Sequence, residues 1–213
     1  MSKIAWDISH KEFTIEDHYY FSILKKKLSK IGAIVSEITN FKETTKFDIL
    51  VLNYPEKSFT LDDVKLVKRF MEQGGRVIAL GYYNNEDSIA DTINSLAEHF
   101  GLKLMDDEVT DNVNNINDDK YFVVTSKVKA FNKNVKKILM PCTASVKILS
   151  NKGFPIVIGE KTAKTSSGND PIIGAGVKIG KGEFILLGTC VFWDNYSITK
   201  FDNLQFSLNL LTL

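Results

Sequence analysis

Cysteine is scarce in this sequence, with 2 residues in 213. Cys142 and Cys190 lie far apart and belong to no Cys-x-x-Cys or Cys/His pattern. This spacing argues against a disulfide framework and against a structural zinc site. We therefore expect a reduced, cytoplasmic protein with both thiols buried. Arginine is equally scarce, since only Arg69 and Arg76 occur among 27 basic residues, which disfavours sites that need guanidinium forks.

Long apolar runs are also missing. The amino-terminal segment contains no apolar stretch with a small-residue cleavage site, so we expect no secretory signal. The longest apolar runs, such as residues 184–187, have the length of a strand, so we expect no membrane-spanning helix. With 27 basic and 26 acidic residues, the net charge is +1. That balance offers no basic surface for a nucleic acid, while 44% hydrophobic residues suffice for a folded core.

The first hundred residues alternate between strand and helix patterns. Strands are predicted at residues 3–8, 33–38, 47–52, 76–80 and 102–104. Three helices lie between them. The apolar stripe of the first helix is Tyr20, Ile23, Leu24, Leu28 and Ile31. The second helix begins after Thr60, which forms a capping box with Asp63. The third is capped by Asp87 or Ser88.

This alternation predicts an α/β fold with a three-layer, open, mostly parallel sheet, either flavodoxin-like or like a class I glutamine amidotransferase. A dinucleotide-binding Rossmann fold is disfavoured, because the turn after the first strand reads Ser9-His10-Lys11-Glu12 and lacks glycine.

Composition changes after Met105. Residues 106–120 are rich in Asp and Asn and read as a long loop. Short β-like runs follow at 121–125, 137–140, 145–149 and 155–159, then a polar loop at 162–170. A hairpin is predicted from 172–179 and 183–188, and Asp202 or Asn203 caps a last helix. We predict one domain, 1–213, with a βα core at 1–105, a β-rich insertion at 106–180, and a last strand and helix at 181–213 that rejoin the core.

Ligands of open α/β sheets bind beyond the carboxyl ends of the parallel strands. This rule selects four turns, and their candidate ligand-binding residues are Ser9, His10, Glu12, Asn53, Gly81, Tyr82, Tyr83, Thr189, Phe192 and Asp194. His10 and Glu12 are the pair best suited to act together in a site. Positions i and i+2 of an extended chain face the same side, so the imidazole and the carboxylate could point into one pocket. The alternative is a hydrogen-bonded His10 beside a solvated Glu12. Asp7 is expected to orient this turn.

No nucleophile is evident. Ser9 and His10 are adjacent, so their side chains would point apart in a strand. The turn at 80–83, where an amidotransferase carries its cysteine, contains neither Cys nor Ser, and Cys190 reads as a core residue. A metal site from His10, Glu12 and Asp194 has no supporting spacing. We therefore predict no metal, no cofactor and no catalysis; the alternative is a hydrolase or transferase with His10 as base and Glu12 or Asp194 as orienting acid.

Several aromatic residues could stack on a sugar or a peptide, namely Tyr82, Tyr83, Phe192, Trp193 and Tyr196. Core packing is the rival interpretation for Phe192 and Trp193.

At this point the sequence resembles a known family. Ser9-His10-Lys11-Glu12, residues 56–60 before a helix that ends at Gly74-Gly75, Gly101-Leu102 followed by 107–113, and Gly182 through Cys190 are similar, in order, to the GIFT domain. This domain occurs in an intraflagellar transport subunit and in gliding-motility transporter accessory proteins. The resemblance implies an amidotransferase-like fold without the catalytic cysteine. It also implies a non-catalytic ligand-binding or scaffolding module.

The same resemblance guides the expected partners. They are a small molecule, with a saccharide as one option, or a protein, and the chain could form a homo-oligomer. The chain shows neither the scaffold-binding tail of the ciliary subunit nor a membrane segment. We therefore expect a stand-alone prokaryotic or archaeal relative.

Overall fold

The computed structural model describes residues 2–166, 168 and 171–213. The helices are α1 (His18–Lys30), α2 (Leu61–Glu72), α3 (Ile89–Ala97) and α4 (Asn203–Leu210). The strands are β1 (Lys3–Asp7), β2 (Ile34–Ile38), β3 (Ile49–Asn53), β4 (Arg76–Leu80), β5 (Leu102–Leu104), β6 (Val109–Thr110), β7 (Asn115–Ile116), β8 (Asp119–Thr125), β9 (Ile138–Pro141), β10 (Val146–Ile148), β11 (Gly153–Ile158), β12 (Lys164–Thr165), β13 (Ile172–Ile179) and β14 (Gly182–Leu187). None of the described helices combines the length and the hydropathy needed to cross a membrane.

The centre of the molecule is a seven-stranded sheet with the order β11-β13-β14-β4-β3-β1-β2. Five neighbouring strands, β2, β1, β3, β4 and β14, are parallel to one another. Beyond β14, the strands β13 and β11 continue the sheet as antiparallel strands. The predicted α/β class with a mostly parallel sheet is therefore confirmed. One predicted strand lies elsewhere, since β5 pairs with β10 outside this sheet.

Helices cover both faces of the sheet. Alternate residues of β1 show the division, because Ile4 and Trp6 pack with α1 and α4 whereas Ala5 packs with α2 and α3. Buried strands with apolar residues on both sides are what a parallel sheet between two helical layers requires. The sheet is thus the middle layer of three.

The helix ends follow the sequence signals in part. Thr60 and Asp63 form the predicted capping box of α2. The predicted cap of α3 is wrong: Ser88 makes no capping bond, and the Asn85 side chain accepts from the N–H groups of Ala90 and Asp91 instead. The turn before α3 contains left-handed residues, which move Asn85 into capping position.

The carboxyl-terminal half joins the central sheet closely. β14 lies between β4 and β13, so the hairpin of β13 and β14 is built into the sheet. The boundary predicted between 180 and 181 falls in the turn of this hairpin, and the division into regions stays a prediction. The segment 106–120, expected to be a loop, contains β6, β7 and the start of β8. The expected polar loop 162–170 includes β12, and its residues 167, 169 and 170 lie outside the described residues.

Candidate functional site

A pocket opens at the carboxyl edge of the central sheet. It has a cavity volume of about 250 Å³. Its lining residues, which together we call the edge pocket, are Phe13, Tyr20, Phe21, Asn53, Tyr54, Tyr82, Cys190, Val191 and Asp194. They follow β1, β3, β4 and β14 or belong to α1. This is the position that the topology of open α/β sheets predicts for a ligand.

Aromatic rings form a continuous chain across this edge. Tyr20 contacts Phe13 with ring centroids 5.9 Å apart, and Phe13 contacts Tyr54 at 5.3 Å. Tyr54 in turn meets Tyr82 at 5.8 Å. Tyr19 continues the chain at one end, 78% exposed. The pocket therefore offers aromatic faces and edges over most of its wall.

Local hydrogen bonds hold two of these aromatic residues in place. The Phe13 carbonyl accepts from the Trp6 indole at 2.7 Å, and the Phe13 N–H donates to the Asn53 carbonyl. Tyr54 has a left-handed backbone with φ 62°, and its hydroxyl donates to Asp87 at 2.8 Å. A non-glycine residue in this region is uncommon and costs about 1–3 kcal/mol. Such a conformation persists because the surrounding contacts of Tyr54 enforce it.

Asn53 contributes the most informative polar group. It is fully buried at the end of β3. Its Oδ1 accepts from the Trp193 indole at 3.1 Å, which fixes the orientation of the amide. Its Nδ2 is buried and finds no hydrogen-bond acceptor among the described residues. A buried donor without a partner costs about 1–3 kcal/mol, so Nδ2 is suited to an oxygen atom of a ligand.

Asp194 supplies a carboxylate to the same pocket. Its Oδ1 accepts from the N–H groups of Tyr196 and Ser197. Burial raises the pKa of Asp194 to about 6, although these N–H groups act in the opposite direction. The group is therefore mainly ionised at pH 7 and accepts hydrogen bonds there.

Burial raises the pKa of both thiols, which makes them weaker nucleophiles at neutral pH. Cys142 and Cys190 are free and only partly buried, so the prediction of two buried thiols is wrong. Burial nevertheless raises the pKa of the Cys190 thiol to about 12. A thiol with so high a pKa is protonated at neutral pH and a weak nucleophile.

The first predicted turn forms a separate cluster. The carboxylate that contacts the imidazole is Asp7, with 2.6 Å between Oδ2 and His10 Nδ1. Glu12 instead accepts from the His10 backbone N–H at 2.9 Å. The extended geometry assumed for this pair is wrong, because Lys11 is left-handed with φ 63° and reverses the chain. The side chain of Glu12 therefore lies over the backbone of His10.

The same turn brings Ser9 to His10, which the sequence did not predict. Ser9 Oγ lies 3.1 Å from His10 Nδ1 and donates to Asp7 Oδ1 at 2.7 Å. A serine triad requires the hydroxyl and the carboxylate on opposite ring nitrogens. Here both face Nδ1, and the His10 ring stacks on Phe59 with centroids 4.2 Å apart.

Electrostatics in this cluster follow from burial. Burial raises the pKa of Asp7, and its interactions with His10, Glu12 and Ser9 outweigh that effect and lower it. Burial and the charge of Asp7 raise the pKa of Glu12 strongly. The two carboxyl groups therefore do not carry full charges side by side.

The other predicted residues support the edge without lining the pocket. Gly81 packs tightly, since a Cβ there would lie 2.3 Å from Leu104. Thr189 donates to the Pro141 carbonyl at 2.6 Å. Phe192 and Trp193 are fully buried, as core packing predicts. Tyr83 stacks edge-on against Tyr82.

Of the ten predicted site residues, the edge pocket therefore brings together Asn53, Tyr82 and Asp194. Phe13, Tyr20 and Tyr54 were missed by the sequence reasoning. Their aromatic character was a signal, but only the fold shows that they meet.

The chain is similar to known proteins in both sequence and fold. A family model described as the IFT52 GIFT domain matches residues 3–152. An uncharacterized protein of Aquifex aeolicus (strain VF5) is 52% identical over 98% of this chain and 92% of its own length. The human intraflagellar transport protein 52 homolog is 28% identical over 53% of this chain, which corresponds to 26% of the human protein. The solved structure of the mmIFT52 N-terminal domain superposes with a TM-score of 0.80 at 19% identity, covering 96% of this chain and 93% of that one.

Proposed function

Because this chain belongs to the IFT52 GIFT domain family, we propose that it is a non-catalytic binding module whose ligand occupies the edge pocket. The family model matches 150 residues, from 3 to 152, and the domain resemblance favours binding or scaffolding. The cluster at Ser9 and His10 supports the absence of catalysis, because its hydroxyl and carboxylate share one ring nitrogen.

The observation that carries the ligand proposal is the Asn53 amide. Its Nδ2 is buried without an acceptor in a residue that lines the pocket. Natural folds satisfy nearly all buried donors. A ligand oxygen at this position would supply the missing acceptor.

A saccharide fits the chemistry of this pocket. Sugar rings have apolar C–H faces that stack on aromatic side chains, and their hydroxyl groups both donate and accept. Tyr20, Phe13 and Tyr82 supply the rings, Asn53 Nδ2 donates, and Asp194 accepts. This combination of apolar wall and few fixed polar groups is typical of small-molecule sites.

Neighbouring tyrosines provide the test. Tyr20 lines the pocket, while Tyr19 is 78% exposed and does not line it. Tyr20→Ala should weaken binding of a saccharide about two- to twelvefold, since one aromatic contact contributes about 0.5–1.5 kcal/mol. Tyr19→Ala should leave the affinity unchanged. Isothermal titration calorimetry with neutral monosaccharides and with glucose and N-acetylglucosamine oligomers measures both.

The outcome also separates the two ligand classes. Absence of binding to every sugar in the panel would count against the saccharide and would leave a protein as the ligand of the module. Equal losses in both tyrosine variants would show that the sugar binds elsewhere.

The finer fold assignment belongs to the proposal as well. We propose a flavodoxin-like, amidotransferase-like arrangement with the β-rich elaboration predicted at 106–180. Its support is the order of the parallel strands, β2-β1-β3-β4-β14, which corresponds to the doubly wound order 2-1-3-4-5. A crystal structure with a different strand order would contradict it.

A further inference from the structure

The cluster in the turn after β1 has the composition of a metal site. Asp7, His10 and Glu12 each offer a ligand atom, and these atoms lie within 4.8 Å of one another. The three residues are 0%, 4% and 8% exposed. None of them lines the edge pocket, so the cluster is a separate feature of the molecule.

In the described part of the chain, positive charge in this cluster can come from His10 alone, which faces Asp7 at 2.6 Å and Asp63 at 3.8 Å. Among the described residues, no Lys or Arg forms an ion pair with Asp7 or Glu12. Two buried carboxylates without a cation are strongly unfavourable. A charged imidazole at His10, a proton on Glu12 or a metal ion can each relieve this repulsion.

An unpartnered atom indicates where a metal ion would bind. Glu12 is more than nine-tenths buried, and its Oε1 has no hydrogen-bond donor. Its other oxygen is already occupied by the His10 N–H. Oε1 is thus a free oxygen ligand beside Asp7 and the imidazole.

We propose that Asp7, His10 and Glu12 bind a divalent transition-metal ion, with Zn²⁺ or Mn²⁺ as the class that this ligand set selects. Carboxylate oxygens suit both Mn²⁺ and Zn²⁺, and the imidazole nitrogen suits Zn²⁺ in particular. Two protons leave to solvent when the ion binds, the one between His10 Nδ1 and Asp7 and the one that Glu12 holds in the metal-free state.

The required movement is small. Ligands of a tetrahedral zinc site lie about 3.4 Å apart, given bonds of about 2.1 Å. The 2.6 Å contact of His10 with Asp7 would open, and Glu12 Oε1 would approach.

The surroundings already orient the ligands, as second-shell groups do in metal sites. Ser9 donates twice to the other oxygen of Asp7. Phe59 stacks on the His10 ring, and Phe41 contacts the same ring in a T-shaped arrangement. The ion would fix the turn that carries Phe13, but the proposal does not depend on which ligand the edge pocket takes.

Titration of the chelator-treated full chain with Mn²⁺ and with Zn²⁺ tests this site. Wild type should bind one equivalent and gain thermal stability. Glu12→Gln should bind at least about tenfold more weakly. Glu56→Gln, which changes an exposed carboxylate close to the cluster, should bind like wild type. Circular dichroism checks that each variant is folded.

Anomalous diffraction from wild-type crystals soaked in Zn²⁺ needs no variant and locates the ion. A peak between Asp7, His10 and Glu12 supports the proposal. No binding by wild type would overturn it, and a charged imidazole or a proton on Glu12 would then relieve the repulsion in the cluster. A peak elsewhere, or equal binding by Glu12→Gln, would overturn it as well.

Discussion

Asp194 is a buried carboxyl group in the wall of the edge pocket. Asp194 is 9% exposed, and burial raises its pKa to about 6 from 3.8. Asn53, by contrast, is uncharged and fixed by Trp193. Asp194 is therefore the pocket group whose charge changes within the mildly acidic range.

This shift predicts a pH dependence of stability. Between pH 4 and 6 the unfolded chain loses the Asp194 proton while the native state keeps it. The native state then binds more protons, so the free energy of unfolding falls as pH rises through this window. Asp194→Asn should reduce that decline, because asparagine does not titrate in this range. Its Oδ1 can still accept from the N–H groups of Tyr196 and Ser197, so we expect the variant to fold. Urea unfolding at pH 4, 5, 6 and 7 measures the slopes.

The exposed carboxylate variant Glu56→Gln is the comparison for that experiment, and we expect it to keep the wild-type slope. Parallel curves for wild type and Asp194→Asn would contradict the assignment of this titration to Asp194.

Helix α1 shows how a correctly predicted element can present a different face. The predicted stripe ran through Tyr20, Ile23, Leu24, Leu28 and Ile31. The buried residues are Phe21, Leu24 and Leu28, whereas Tyr20 is 40% and Ile31 is 49% exposed. Tyr20 is thereby free to form one wall of the edge pocket.

Helix α2 allows a quantitative test of a local signal. Thr60 Oγ1 accepts from the Asp63 N–H at 3.2 Å, and the Asp63 carboxylate accepts from the Thr60 N–H at 2.8 Å. Thr60→Ala should lower the free energy of unfolding by about 1 kcal/mol, because it removes this capping acceptor. Thr60→Ser keeps the hydroxyl and should cost much less. Chemical unfolding of the three proteins compares them; similar losses for both variants would show that the hydroxyl is not the cause.

Hydrogen bonds of Arg76 connect the central sheet to the carboxyl-terminal end of the chain. Arg76 in β4 donates to Glu183 in β14 at 2.7 Å. It also donates to the carbonyl of Leu210, the last residue of α4, and to the carbonyl of Thr212 just beyond that helix. The scarcity of arginine thus does not prevent a multidentate guanidinium site; the site is structural. These bonds join the first half of the sheet to the last helix.

The two arginines give a matched test of this joint. Arg76→Ala should lower the free energy of unfolding by about 1–3 kcal/mol, because the carbonyls of Leu210 and Thr212 lose their donor while Glu183 keeps its ion pair with Lys178. Arg69→Ala, at an exposed position of α2, should change it by about 0.5 kcal/mol or less.

The same unfolding experiments address the proposed single domain. Fluorescence of Trp6 and Trp193 and circular dichroism should report one coincident transition, because β14 lies inside the sheet. Two separate transitions would contradict a single domain, and a benign Arg76→Ala would contradict the role of this joint.

The sequence by itself determined the helices and most strands of the first hundred residues. β4 and β5 have the predicted bounds, and the capping box of α2 forms as predicted. These features depend on neighbours within a few positions of the chain, so hydrophobic period and capping residues suffice to identify them.

Only the tertiary structure decided which groups meet. Strand pairing over more than a hundred residues placed β14 beside β4 and joined Asn53 to Trp193. The left-handed Lys11 gave His10 the carboxylate of Asp7 in place of Glu12. Such outcomes depend on packing between distant parts of the chain and on single backbone angles. Local sequence patterns determine neither of them.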